Sequence, residues 1–232
     1  MSRLLIVGHG RMGRLVEQHA PAAGFEVAGI VDEAGNEGGR AIGPASCANV
    51  DVAIDFTTGD AVLANVRALA GCGVSVVIGT TGWAAAEPRV RAIAEAAGIG
   101  VVASANFSLG ANLLAALAER AAVLFGGAAD YGAFVYEQHH AAKRDAPSGT
   151  ALMLRDAMLQ AGWPRPIDVA ATRAGFMPGT HVIGFDGPAE TVTLTHAVRD
   201  RATFAHGALV AARWLVGRRG WYSMRDVLGM GQ

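Results

Sequence analysis

The stretch Leu4-Leu5-Ile6-Val7-Gly8-His9-Gly10-Arg11-Met12-Gly13 decides the fold. Its apolar run, closed by glycine, reads as a buried strand over residues 3–7. The three glycines have separate tasks. Gly8 permits a tight turn, Gly10 leaves room for backbone to approach a pyrophosphate, and Gly13 lets the next helix lie close on the strand. That helix continues through residues 14–19 until Pro21 and Gly24 stop it. Residues 25–31 form a second apolar strand ending at Asp32. Asp32 lies 22 residues beyond Gly10, close to the roughly 20 expected of an acid that bonds a ribose hydroxyl. The plain alternative is a glycine-rich turn that only packs a helix. The acid at this spacing favours a dinucleotide site built on Gly8, His9, Gly10, Arg11, Met12, Gly13 and Asp32.

Outward from this unit, strands and helices alternate. Residues 51–56, 74–78 and 99–103 read as strands, with helices through Val62, Val66 and Leu69 and across Val90, Ile93 and Ala97. Alternation of this kind implies a parallel, Rossmann-like sheet with right-handed crossovers. Ligands of such sheets bind beyond the carboxyl ends of the strands. The loops there add Glu33, Phe56, Gly79, Thr80, Thr81, Ser104, Ala105, Asn106 and Phe107 to the candidate cofactor-binding residues. Asp32 and Glu33 together would repel a 2′-phosphate, so NADH is expected over NADPH. Arg11 in the glycine loop is the nearest offset, and Arg40 a remoter one.

The second half is patterned differently. A long apolar helix over residues 112–125 leads to a strand at 132–137 that delivers His139 and His140. A second helix spans residues 150–160. Residues 167–172, 181–185 and 190–196 then read as strands with no helices between them, so this sheet is antiparallel or mixed and the second domain is α+β. A helix over residues 204–215 follows. Between strand and helix runs Tyr136-Glu137-Gln138-His139-His140-Ala141-Ala142-Lys143-Arg144-Asp145-Ala146-Pro147-Ser148-Gly149-Thr150. Two histidines and a lysine crowd together just before a turn that opens a helix, where an anion is favoured. This reads as a site for a negatively charged small molecule with a proton donor beside it. The plain alternative is a polar surface loop.

Composition narrows the classes. The chain has 232 residues, 52% hydrophobic and 17% charged, which is ample for a core. A formal net charge of -1 gives no bulk attraction to nucleic acid or anionic membrane. Cys47 and Cys72 have no ligand spacing, so neither a disulfide framework nor a metal site is expected. No signal-peptide pattern or uninterrupted apolar span is visible, and a cytoplasmic location is expected.

The stretch from Glu137 to Ala151 resembles the signature E-x-H-H-x-x-K-x-D-A-P-S-G-T-A of the dihydrodipicolinate reductase family, with every fixed position met. Gly10-Arg11-Met12-Gly13, Asp55-Phe56-Thr57, Gly79-Thr80-Thr81-Gly82, Asn106-Phe107-Ser108, Arg173-Ala174-Gly175, Thr195-His196 and Met224-Arg225-Asp226-Val227-Leu228 resemble further landmarks in family order. The resemblance implies NAD(P)H-dependent reduction of 4-hydroxy-tetrahydrodipicolinate, a cyclic dicarboxylate, to tetrahydrodipicolinate on the diaminopimelate route to lysine. It implies His139 as proton donor and Lys143 as companion acid. It implies His140, Lys143, Ser148, Gly149 and Thr150 as holders of the substrate's carboxylates, with Thr81 bridging cofactor and substrate. Glu137 and Asp145 are read as structural. The family is typically a homotetramer joined through the second domain's sheet, and a homotetramer is expected. Glu33 stands where relatives that hold a 2′-phosphate have arginine, the glycine loop is one residue shorter than in many relatives, and Thr180 replaces a usual glutamate. The expected organisation is a dinucleotide-binding domain over residues 1–106, with 207–232 packing back onto it, and a substrate-binding and oligomerisation domain over 107–206. Hinges are expected near Asn106 and Gly207.

Overall fold

The structure, a computed structural model, describes residues 1–230. The chain forms two units. The first comprises Met1–Phe107 and the segment from Ala202 onward, and the second Ser108–Arg201.

The apolar runs become β1 (Ser2–Val7), β2 (Phe25–Val31), β3 (Val52–Asp55), β4 (Ser75–Ile78) and β5 (Gly100–Ala103). Most residues of β1, β3, β4 and β5 are buried, as parallel strands between helical layers must be, while β2 at the sheet edge buries only Phe25 and Val31. Three crossover helices connect them, α1 (Arg11–His19), α2 (Gly59–Gly71) and α3 (Glu87–Ala97). Leu5, Val7, Val62, Val66, Leu69, Val76, Ile78, Val90 and Val101 belong to one core cluster. The pairing is parallel throughout, and with β10 (Gly220–Tyr222) the order is β10-β5-β4-β3-β1-β2. Strand order therefore reverses between β1 and β3. Crevices for ligands open at such a reversal.

Three features differ from the sequence reading. α1 starts at Arg11, so Gly13 lies within the helix. A Cβ at Gly13 would stand 1.9 Å from the Gly8 carbonyl oxygen, which is the close approach that glycine permits. β10 is unforeseen: three residues are too few for a periodic signal, and only pairing with β5 makes them a strand. The return to the first unit begins at Ala202 rather than 207, because α6 (Ala202–Leu215) is one helix. Gly207 is accordingly no hinge. It is buried inside α6, where a Cβ would meet the Phe107 carbonyl oxygen at 1.7 Å.

The second unit packs α4 (Leu109–Gly126) and α5 (Gly149–Gln160) on a mixed sheet of β6 (Gly132–His139), β7 (Ile167–Arg173), β8 (Thr180–Asp186) and β9 (Thr191–Ala197). The order is β7-β6-β8-β9; β6 and β7 run parallel, the other pairs antiparallel. Alternate residues of β6 (Ala133, Val135, Glu137 and His139) are buried, while Phe134, Tyr136 and Gln138 on the opposite face are only half-buried. α4 is long and apolar enough to cross a membrane, with mean hydropathy 1.4. It carries Glu119 and Arg120 at its middle, however, and Leu114, Ala115, Ala118 and Ala122 belong to the unit's core together with Val135 and Ile183. It is the core helix of this unit.

Gly13 and Gly10 separate by environment, since a Cβ at Gly10 would meet nothing within 4 Å. Gly13→Ala is expected to lower stability by about 1–3 kcal/mol in urea unfolding, and Gly10→Ala to stay within about 0.5 kcal/mol of the parent. Equal losses would contradict this picture of the glycine loop.

Candidate active site

In the first unit, the expected loops gather at the carboxyl ends of the strands. The turn after β1 passes through Gly8 at φ 91°, and a Cβ there would strike the Phe56 carbonyl at 2.3 Å. Gly10 caps α1 without a side-chain hydrogen bond, which leaves first-turn N–H groups for an anion. Arg11 is exposed and Met12 half-buried in that first turn. Asp32 is exposed just past β2, and its Oδ1 accepts from the backbone N–H groups of His9 at 3.1 Å and Glu33 at 2.9 Å. Those two bonds hold its carboxyl below the ordinary carboxylate range. His9 Nε2 lies 2.7 Å from Glu17. A cavity of about 650 Å³ opens here, lined by Gly8, His9, Gly10, Asp32, Glu33, Glu37, Phe56, Thr57 and Asp60 among others. Its place at the strand-order reversal, the uncapped helix start and the empty space over Gly10 all fit a dinucleotide.

A second cavity, of about 510 Å³, lies past β4 and β5, bounded by Thr80, Thr81, Trp83, Ser104, Ala105, Trp221 and Tyr222 among others. Thr81 and Ala105 are exposed, and Asn106 is half-buried. Two expected residues are turned inward instead. Phe107 is 2% exposed and packs edge to face on Phe56. Thr80 is 4% exposed, and its hydroxyl donates to Asp55 Oδ1 at 2.7 Å. Gly79 carries no Cβ because one would lie 2.1 Å from the Phe56 ring.

Asp55 was not foreseen as a site residue. It is fully buried and also accepts from the N–H and hydroxyl of Thr57 at 3.0 and 2.7 Å and from Asn65 Nδ2 at 3.0 Å. One carboxylate thus shapes the loops after β3 and β4.

In the second unit, the histidine–lysine stretch is not a plain surface loop. β6 runs through His139, two residues farther than its apolar pattern suggests. Glu137 and His139 share the face turned toward the core, as strand period demands. Register sets Arg173 on β7 opposite His139, His181 on β8 opposite Glu137, and His196 on β9 opposite His181. Glu137 is fully buried, yet both its oxygens are satisfied. Arg173 binds it with two donors, Nη2 to Oε1 at 2.7 Å and Nη1 to Oε2 at 3.0 Å. His139 Nδ1 meets Oε2, and the Ser148 backbone N–H donates to Oε1 at 3.0 Å. Burial pushes the Glu137 pKa up, but Arg173, His139 and Ser148 outweigh it and hold the carboxyl below its usual value.

Burial lowers the His139 pKa; Glu137 opposes that shift, while Lys143 and Arg173 add to it. His181 is pushed down to about 4, by burial first and by the charge of His139 next. Its Nε2 lies 3.3 Å from the Ser148 hydroxyl. Burial also lowers His196, whose Nε2 lies 3.3 Å from the Ser108 hydroxyl. The donor atoms of Glu137, His139 and His181 approach within 4.8 Å of one another. The positive charge beside that carboxylate is already supplied by Arg173.

Beyond the strand, Lys143 Nζ lies 2.7 Å from Asp145 Oδ1, and this ion pair holds Asp145 below its ordinary pKa. Arg173 Nη2 also donates to the Asp145 carbonyl. Ser148 is the N-cap of α5, its hydroxyl accepting from the Ala151 N–H at 3.3 Å, and Gly149 and Thr150 form the first turn. His140, the residue after β6, is half-exposed. His139, Lys143 and the helix start are therefore brought together as expected. Arg173, His181 and His196 were not foreseen as members of the group. Arg173 and His196 stood within quoted landmarks, but only strand register brings Arg173 to Glu137, His181 to Ser148 and His196 behind His181.

Family comparison agrees with this geometry. The model described as dihydrodipicolinate reductase, N-terminus, matches residues 2–107, and that described as dihydrodipicolinate reductase, C-terminus, matches residues 110–228. A protein named 4-hydroxy-tetrahydrodipicolinate reductase from Rhodopseudomonas palustris is 38% identical, with 99% of this chain and 98% of the relative covered. One of the same name from Thiobacillus denitrificans is 40% identical, with 98% of each covered. Among solved structures, the dipicolinate-bound dihydrodipicolinate reductase from Paenisporosarcina sp. TG-14 has a TM-score of 0.78 at 22% identity, covering 97% of this chain and 98% of that one, a likeness of fold. Two models that together span nearly all of the sequence, and relatives near 40% identity over their whole length, place the chain in one family: it belongs to the dihydrodipicolinate reductases.

Proposed function

We propose that the protein reduces 4-hydroxy-tetrahydrodipicolinate to tetrahydrodipicolinate in the diaminopimelate route of lysine biosynthesis. The observation that carries this reading is the cluster of His139, Arg173 and the Ser148 helix start around one buried carboxylate, with the Lys143–Asp145 pair tied to it through Arg173. The cofactor is a pyridine nucleotide, and when bound it supplies the hydride.

The chain's own residues do the rest. A dicarboxylate is stabilised at the start of α5, where Ser148, Gly149 and Thr150 sit at the positive end of the helix, the Ser148 N–H itself being taken by Glu137. Lys143 adds cationic charge beside it, and His140 a ring N–H donor. Thr81, exposed after β4, is assigned to both ligands. His139 donates the proton that answers the charge developing on the reduced ring, and an imidazole suits that task with a reference pKa of roughly 6.5. Lys143, oriented by Asp145, is the companion acid. The cofactor-binding residues are those of the five loops, though the Thr80 hydroxyl and the Phe107 ring serve the loops rather than the ligand.

NADH is the favoured cofactor. The cavity at the end of β2 is lined by Asp32, Glu33, Glu37 and Asp60, with no Lys or Arg in its lining among the described residues. A 2′-phosphate would meet repulsion there. Arg40, the remoter candidate offset, is paired with Glu37. The homotetramer and a cytoplasmic location belong to the same reading. The face of the second sheet that carries Tyr136, Gln138 and Thr172 is half-buried, and these three side chains form a polar chain of hydrogen bonds on it.

Lys143→Ala is expected to lower kcat by roughly a hundredfold or more while NADH affinity changes less than about threefold. Steady-state assay with enzymatically generated substrate, beside calorimetric titration of NADH, measures both. Equal losses would oppose separate nucleotide and substrate subsites. The same titration should show NADH binding at least about tenfold tighter than NADPH, and Gly10→Ala should weaken NADH by a similar factor; equal affinity for the two nucleotides would refute the charge argument. Light scattering on the eluting protein should give four times the 23.8 kDa chain mass; a monomer would remove the tetramer from this reading.

A further inference from the structure

Glu137 touches too many of the working parts to be inert packing. Its Oε2 meets His139 Nδ1, and its Oε1 accepts from the Ser148 N–H at the start of α5. Arg173 grips both oxygens, and its Nη2 reaches on to the carbonyl of Asp145, the partner of Lys143. We propose that Glu137, clamped by Arg173, is a positioning residue: it fixes His139 as the Nδ1–H tautomer, reserves Nε2 for the transferred proton, and locks the proton donor to the anion-binding turn as one body. The proposal rests on the reading of His139 as donor.

The chemistry follows from the acceptor count. An ionised carboxylate only accepts, so the His139 nitrogen facing it must carry hydrogen. Nε2 is then the nitrogen that gains and loses the proton. Gly179 stands beside that nitrogen, and a Cβ there would lie 3.0 Å from it. A glutamine at 137 has one acceptor oxygen for donors from Arg173, His139 and Ser148, so at least one buried donor would go unmet.

The charged and titratable groups around His139 are Glu137 on β6, Arg173 on β7, His181 on β8 with His196 behind it on β9, and Lys143 with Asp145 in the following loop. Of these, Glu137 raises the proton affinity of His139, while burial, Lys143 and Arg173 lower it. Removing the charge of Glu137 therefore makes His139 lose its proton at lower pH. The protonated donor is needed for turnover, so the falling, alkaline limb of kcat/KM must move to lower pH.

The test has three readings. In wild-type protein labelled with 15N-histidine, with the His139 signals identified by their loss in His139→Asn, the neutral ring should show hydrogen on Nδ1; hydrogen on Nε2 would overturn the proposal without any variant having to fold. In Glu137→Gln, kcat should fall at least about tenfold and the alkaline limb should shift to lower pH by at least roughly half a unit. In Glu137→Asp, which keeps the charge, the limb should return toward the wild-type position. A limb that stays in place in Glu137→Gln would make Glu137 merely structural. The reading of His139 as donor fails separately, if His139→Asn keeps wild-type turnover.

Discussion

A carboxylate taken out of water is costly unless every lone pair finds a donor. Glu137 meets that demand with two donors from Arg173, the imidazole of His139 and the N–H of Ser148. Removing one partner of such a pair typically costs about 3–5 kcal/mol, so the cluster holds together as a unit. The second unit's site depends on this one ion pair. Strand β7 is tied to β6 through Arg173, α5 is tied to β6 through Ser148, and the His139 ring takes its orientation from the same oxygens.

The first unit uses the same device without a cation. Asp55, the last residue of β3, is buried and accepts from Thr57, Thr80 and Asn65. Its hydrogen bonds bind together the loops after β3 and β4, which border the two cavities. In both units apolar strands run to their carboxyl ends, and a carboxylate near the end then organises the irregular backbone beyond. Rigid loops follow, because buried polar groups admit few alternative partners. Asp32 and Thr81 are exposed and Lys143 half-buried, while inward-facing residues such as Thr80, Asp55 and Glu137 hold the loop backbone in place.

Much of the fold was legible one residue at a time. Continuous apolar runs mark β1 to β5, and Gly8, Gly10 and Gly13 announce the turn and the close helix. Asp32 at its spacing points to the ribose. What escaped was non-local. β10 is a strand only because β5 lies beside it, and Gly207 looked like a hinge until α6 was seen to run unbroken past Phe107. At the site, His139, Lys143 and Ser148 were visible because they are neighbours in sequence. Arg173 and His181 reach the same group from 34 and 42 residues beyond His139 (173 − 139 and 181 − 139), and His196 stacks behind His181 from farther along the chain.

The sequence by itself determined the class of fold, the dinucleotide loop, the cationic stretch before α5 and the family. Those properties reside in short-range patterns: the period of apolar residues, the backbone freedom of glycine, and the order of a local motif. Only the tertiary structure decided that Glu137 is an acceptor hub rather than packing, that Thr80 and Phe107 face inward, and that Arg173 supplies the compensating charge. The reason is physical. Whether a polar side chain serves a ligand or the fold depends on which donors stand within about 3 Å of it, and strand register across a sheet sets that distance.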